Sequence, residues 1–353
     1  MSSDETSAYG GTVPPQHAID RIRLAAWLRD HVEGFQGPVE IEQFKGGQSN
    51  PTYKLASPSG SYVLRRKPQG SLLPSAHAVD REFRVLAALH GTGVPVPRVH
   101  ALCEDPEIIG SVFYVMDFVD GRIFWDQRLP GLPRAERAAI FDSLNTGIAR
   151  LHLVDPQAIG LRGFGRAGNY MERQVARWAK QYLASATEEI PAMDRLIEWL
   201  PRHLPPEGET RVVHGDYRMD NIVFERSAPR VAAILDWELS TLGDPIADFA
   251  YHAMYWRIAP DLFRGLGGVE VRSLGIPTEH EYVAAYCRRT GRQGIDSFDF
   301  YILFSMFRIA AILQGIAKRA IEGTAASARA VDVGRRARPL AEQAWELARS
   351  IGR

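Results

Sequence analysis

His214-Gly215-Asp216-Tyr217-Arg218-Met219-Asp220-Asn221, followed after an apolar run by Ile234-Leu235-Asp236-Trp237-Glu238, decides the reading of this chain. It places an Asp, an Asn five residues later and a second Asp at the end of a strand-like segment. Kinase-type phosphotransferases assemble a base and two magnesium ligands at that spacing. A hard cation that neutralises a transferred phosphoryl group prefers oxygen ligands, and the Asn221 amide and the Asp236 carboxylate fit that role. The attacking hydroxyl must be oriented and must give up a proton, for which Asp216 is the candidate base. His214 follows the strand residue Val213 and is expected to brace the loop. Any one of these residues alone would be an ordinary turn former or cap. Their order counts because Arg211-Val212-Val213, Ile222-Val223-Phe224 and Val231 to Leu235 read as short strands around a loop and a turn.

Composition sets wide bounds. The chain has 353 residues, 45% of them hydrophobic, enough for a sizeable core in two lobes. Lys plus Arg equals Asp plus Glu at 42 each, so no global field advertises nucleic acid or an acidic membrane as partner. Cys103 and Cys287 give neither a disulfide framework nor a metal cluster, and a reducing cytoplasm is the default. No apolar run approaches the roughly 20 residues of a membrane span, and the polar residues 1–17 are expected to be a disordered arm. No obligate protein partner is evident.

Periodicity predicts a leading helix over Ala18 to Val32 and strands at Val39 to Phe44, Thr52 to Ala56 and Ser61 to Arg66. Val79, Phe83, Leu86 and Leu89 mark a helix ending at Gly91, and Arg98 to Leu102 and Val112 to Phe118 complete five strands. From Pro133 onward the pattern is mainly helical. The expected fold class is α+β: an N-lobe over 18–118 with a five-stranded antiparallel sheet and a helix, and a mainly helical C-lobe over 119–353. Gly163-Phe164-Gly165-Arg166-Ala167-Gly168 spells a dinucleotide fingerprint, but no apolar strand precedes it. It reads as a loop leading into a helix over Asn169 to Ser185.

The stretch HGDYRMDN, with ILDWELSTLGDPIADFAY after it, resembles the aminoglycoside phosphotransferase and choline kinase family, which has a bilobal protein-kinase-like fold. Within that family it is similar to the kinase-like module joined to acyl-CoA dehydrogenase domains. The resemblance implies ATP, with GTP left open, and Mg2+ as cofactors, and a small-molecule hydroxyl as acceptor. It makes Gly46, Gly47, Ser49 and Asn50 candidates for a phosphate-cradling loop, although the same residues suit a plain hairpin turn. Arg65 takes the place of the family's phosphate-pairing Lys, with Lys67 as competitor and Glu82 as ion-pair partner. Backbone groups of Asp117 and Val119 are expected to meet an adenine edge where the chain crosses between lobes.

Only seven residues separate Asp236 from Asp244, too few for a peptide-docking activation segment, which favours a small-molecule acceptor. Asp248 is expected to hydrogen-bond the catalytic loop and to help cap the next helix. From Asp244 to Arg353 there are 12 acidic against 15 basic residues, which does not favour a polycationic aminoglycoside. Arg177, Tyr182 and Asp248 are candidate substrate contacts, and the resemblance makes a hydroxyacyl compound an option beside an antibiotic. His252 is expected to be a packing histidine. The competing reading is a pseudokinase or nucleotide-sensing module, which the Arg at position 65 keeps open.

Overall fold

The computed structural model describes residues 19–44, 50–68, 78–323 and 330–351. Gly46, Gly47 and Ser49 lie outside the described residues. The chain forms two compact units, 1–121 with 232–238, and 122–231 with 239–353. The first unit takes in 232–238, which the sequence reading places in the C-lobe.

In the first unit, helix α1 (Arg21–His31) begins at Asp20, whose carboxylate accepts the Ile22 and Arg23 N–H groups. Strands β1 (Glu40–Gln43), β2 (Thr52–Ser57) and β3 (Gly60–Arg66), helix α2 (Val79–Leu89), and strands β4 (Val99–Cys103) and β5 (Phe113–Asp117) follow. The strands form one antiparallel sheet in the order β1-β2-β3-β5-β4. Alternation along β3 assigns its two faces. Tyr62 and Leu64 join Phe113, Val115 and the α1 residues Leu24, Trp27 and Leu28 in a core, with the Trp27 and Phe113 rings edge to face at 4.8 Å. Arg65 points to the opposite face, where α2 presents Glu82.

The second unit contains α3 (Arg134–Leu153), α4 (Tyr170–Ser185) and α5 (Pro191–Trp199), then β6 (Arg211–Val213) and β7 (Ile222–Phe224). Strand β8 (Val231–Ile234) leads into the segment shared with the first unit, and β9 (Thr241–Gly243) returns to pair antiparallel with β6, Val212 opposite Leu242. Helices α6 (Pro245–Ala253), α7 (Pro260–Phe263), α8 (Val271–Leu274), α9 (Glu279–Thr290), α10 (Phe298–Ile321), α11 (Ala330–Gly334) and α12 (Ala337–Ile351) complete it. The 24-residue α10 packs against α4, α6 and α12. It is long and apolar enough to cross a membrane by length and composition, which corrects the expectation that no apolar run approaches that length; Arg308 interrupts the run and hid it. Its apolar stretch is 83% buried inside the protein. Cys103 and Cys287 are both buried free thiols.

Candidate active site

The first unit gathers a charge cluster around Arg65. Its Nε lies 2.7 Å from Glu82 Oε2, and its Nη2 donates to Asp236 Oδ1 at 2.8 Å and approaches Glu238 Oε2 at 3.4 Å. The Glu82 pair meets the ion-pair distance but not the angular requirement of a hydrogen bond at Nε, so it is a charge contact first. Burial opposes the guanidinium charge, but Glu82, Asp236 and Glu238 more than offset it and raise the Arg65 pKa. Burial pushes the Glu82 carboxyl up, Arg65 opposes that, and the Tyr114 hydroxyl donates to its Oε2 at 3.1 Å. Glu82 thus pairs with Arg65, not with Lys67. Asp236 has φ +65°, an uncommon left-handed conformation for a residue other than Gly.

Two expectations need correction here. Asn50 is fully buried and its amide donates to Glu82 Oε1 at 2.8 Å, so it supports the ion pair from behind instead of touching phosphate. The Asp117 N–H donates to the Arg98 carbonyl at 2.8 Å and its carboxylate meets His100 Nε2 at 2.7 Å, so that N–H is not available to a nucleotide edge. Val119 is partly exposed beyond the end of β5.

In the second unit the antiparallel β6–β9 pair brings the start of α6 beside the 214–216 loop. The two carboxylate oxygens of Asp248 accept the His214 N–H at 2.7 Å and the Gly215 N–H at 2.8 Å, and His152 Nε2 lies 3.2 Å away. Burial alone would raise the Asp248 pKa, but His152, His214 and the backbone donor hold it below the usual carboxylate range. Asp248 is 3% exposed, so it braces the loop and is no substrate contact. The N-cap of α6 is Asp244, whose Oδ1 accepts the Ile246 N–H, and not Asp248. Gly215 is required where it stands: its φ is +83°, and an added Cβ would lie 2.7 Å from the Leu239 carbonyl oxygen.

That loop presents Asp216. Its N–H donates to His214 Nδ1 at 3.1 Å, which gives the fully buried His214 its bracing role. Asp216 Oδ1 accepts the Tyr251 hydroxyl at 2.8 Å and faces Arg218 Nε at 3.0 Å. Burial would raise the Asp216 pKa, but Arg218, Arg308, the Tyr251 hydrogen bond and His214 lower it, so the group is a carboxylate at neutral pH. The Asn221 amide donates to the Asp216 carbonyl at 2.9 Å and to Asp216 Oδ2 at 3.0 Å. With both amide hydrogens held by acceptors, the amide oxygen must face the other way, as a cation ligand requires.

Arg308 is a residue that motif reading passed over. It donates from Nη2 to the Gly215 carbonyl at 2.5 Å and lies over the rings of Tyr251 and Trp178 at 4.4 and 5.1 Å. Its signal was a lone arginine inside an otherwise apolar helix, where an unpaired charge is not stable. Arg177 is exposed on α4 with its guanidinium over Trp178, and Tyr182 is 2% exposed in the core, so Tyr182 is no substrate contact.

His252 packs as expected, with Nε2 2.8 Å from the Tyr282 hydroxyl. Burial lowers its pKa from the ordinary 6.5 to about 4. The unfolded chain therefore takes up this proton first, and the stability His252 confers above pH 6.5 is lost as pH falls toward 4. That loss amounts to about 3 kcal/mol. The expected result is that His252→Gln, which keeps a polar group for Tyr282, flattens the pH dependence of urea unfolding across this window. An unchanged slope would assign the acid sensitivity to other groups.

The fold is protein-kinase-like, and similarity over most of the chain places it among the phosphotransferases. The chain belongs to the phosphotransferase enzyme family, whose profile matches residues 40–301. It is 48% identical to acyl-CoA dehydrogenase family member 10 of Mus musculus, over 96% of this chain and 31% of that protein. It is 44% identical to family member 11 of Rattus norvegicus, over 96% of this chain and 44% of that one. The chain thus spans less than half the length of these relatives. A crystal structure from Ralstonia eutropha, named for the aminoglycoside phosphotransferases, is 56% identical with a TM-score of 0.87, covering 94% of this chain and 99% of that one. Aminoglycoside phosphotransferase APH(4)-Ia, in a ternary complex with ADP and hygromycin B, shares the fold at 15% identity and a TM-score of 0.59, over 90% of this chain and 97% of that one.

Proposed function

We propose that this chain transfers the γ-phosphoryl group of ATP, or of GTP, to a hydroxyl of a small molecule in a magnesium-dependent reaction. The observation that carries the reading is Asp216: a mostly buried carboxylate kept ionised by arginines, with the Asn221 amide locked against it. Asp216 orients the acceptor hydroxyl and takes its proton as the oxygen attacks. Asn221 and Asp236 would hold the magnesium ion, which when bound supplies charge neutralisation for the phosphoryl oxygens. Among the described residues no group of three or more His, Cys, Asp or Glu forms an all-protein metal cage. A magnesium ion bound through one carboxylate, one amide and substrate phosphates needs none. Arg65, held by Glu82, would pair with phosphate oxygens through its planar fork.

The acceptor classes in view are a hydroxyacyl compound and an antibiotic. The reaction sets no requirement for nucleic acid, a membrane or a protein partner, and the cytoplasm suits it because ATP and reduced thiols are found there. The test is ADP release from Mg-ATP across a library of hydroxyl metabolites, with and without EDTA. Acceptor-dependent release that EDTA abolishes and that Asp236→Ala lowers at least about a hundredfold is the expected result. Release that ignores both would refute the metal assignment. A second reading, a nucleotide-sensing module, is favoured by one observation: Arg65 occupies an oxygen of Asp236 at 2.8 Å. It predicts saturable ATP binding and no turnover with any acceptor.

A further inference from the structure

Two arginines follow one another on β3 and find opposite surroundings. Arg65 has the carboxylates of Glu82, Asp236 and Glu238 around it. Arg66 turns to the other face of the sheet, the side of Tyr62, Leu64 and α1, and is 0% exposed. Among the described residues its guanidinium meets no carboxylate. Its side-chain hydrogen bond there runs from Nη1 to the Ile109 carbonyl at 3.4 Å, and it lies 5.8 Å from the centroid of the Tyr53 ring. A guanidinium cannot shed its proton, and a charge held out of water without a counter-charge is costly.

The shape of the unmet donor set selects the ligand. Arg66 Nε and Nη2 are buried without a hydrogen-bond partner among the described residues. These two nitrogens form the side-on edge of the guanidinium, which presents two parallel N–H groups and matches the paired oxygens of a planar oxyanion. Two hydroxyls of the same region, Tyr53 Oη and Ser111 Oγ, are buried and unpartnered in the same way. Tyr53 stands opposite Leu64 on β2, and Ser111 lies two residues past Ile109 on the connection into β5, where Phe113 pairs with Arg66. Burial raises the Tyr53 pKa and the Arg66 charge opposes that rise, so the phenol stands within the field of the guanidinium.

We propose that Arg66, with the Tyr53 and Ser111 hydroxyls, binds a small planar oxyanion, of the size of formate, nitrate or bicarbonate, on the α1 side of the five-stranded sheet. Two of its oxygens accept from Nε and Nη2, and the hydroxyls donate to the lone pairs that remain. Full burial of both Arg66 and Tyr53 restricts the occupant to a compact ion and excludes a bulky phosphate ester. The bound ion neutralises Arg66 and so stabilises the first unit. This site lies on the face of β3 opposite Arg65, and it does not depend on the phosphotransferase reading.

The experiment is thermal unfolding of the full chain, dialysed exhaustively into sodium chloride buffer, as formate replaces chloride at constant ionic strength. Wild type is expected to gain about 3–6 °C in Tm at a tenfold excess of formate over its Kd, rising with the logarithm of concentration as one-site linkage requires. Arg66→Met, which replaces the charge with an apolar chain of similar length, is expected to show none of that gain. Tyr53→Phe keeps the charge and is expected to need about five times more formate for the same gain, the worth of one hydrogen bond. A wild-type Tm that ignores formate means that buried water alone meets the guanidinium, and it overturns the site. A gain of equal size in Arg66→Met is a bulk salt effect and overturns it too. Should Arg66→Met fail to fold, Tyr53→Phe carries the test, and an unshifted formate dependence there overturns the assignment.

Discussion

Asp216→Asn is expected to lower kcat by about two to four powers of ten while leaving the KM for ATP nearly unchanged. The replacement keeps size and one acceptor oxygen, so the Tyr251 hydroxyl and the Asn221 amide can still find a partner. What it removes is the negative charge that accepts the hydroxyl proton late in phosphoryl transfer. It also leaves Arg218 and Arg308 without the carboxylate they now face, so a modest fall in Tm should accompany the loss of rate. Measuring kcat, KM and Tm together separates the two effects, and a rate loss under tenfold would reduce Asp216 to an orienting group. Because those arginines hold the Asp216 pKa below the usual carboxylate range, its protonation should not limit the wild-type rate near neutral pH. An acid limb near pH 6 that shifts in Tyr251→Phe would contradict that placement.

Replacing Arg65 should have the second largest effect, and on stability as well as turnover. In Arg65→Ala the Glu82 carboxylate, 1% exposed, loses its positive partner inside the sheet, and Asp236 and Glu238 lose theirs. Breaking one side of a buried pair costs about 3–5 kcal/mol. For a unit of this size that corresponds to a fall in Tm of roughly 10 °C or more. Arg65→Lys keeps the charge, but one ammonium group cannot span Glu82 and Asp236 as the planar fork does, so it should recover part of the stability and less of the turnover. Full recovery of both by lysine would mean that only charge matters at this position. Equal Tm values for wild type and Arg65→Ala would remove the ion pair from the account of the first unit.

Much of this molecule could be read along the chain. The five strands of the first unit announce themselves by alternation and bracketing turns, and the Asp216, Asn221 and Asp236 spacing by its order between short apolar runs. The positions that misled share a cause. Asn50, Tyr182 and Asp248 are polar or amphipathic residues beside motif segments, where a sequence shows nearness to a site but not direction. Once the chain folds, each turns inward to a buried partner or into the core.

Local chemistry in the sequence thus determined which groups can accept a proton, hold a cation or pair with phosphate, because these depend on residue type and short-range spacing. Tertiary structure alone decided which charges compensate one another: that Arg65 on β3 joins Glu82 and Asp236, that Asp248 holds two N–H groups of the catalytic loop, and that Arg308 reaches Gly215 from α10. Those partners lie 17 to 171 positions apart in sequence, and an electrostatic interaction acts through distance in space, which only the packed chain sets.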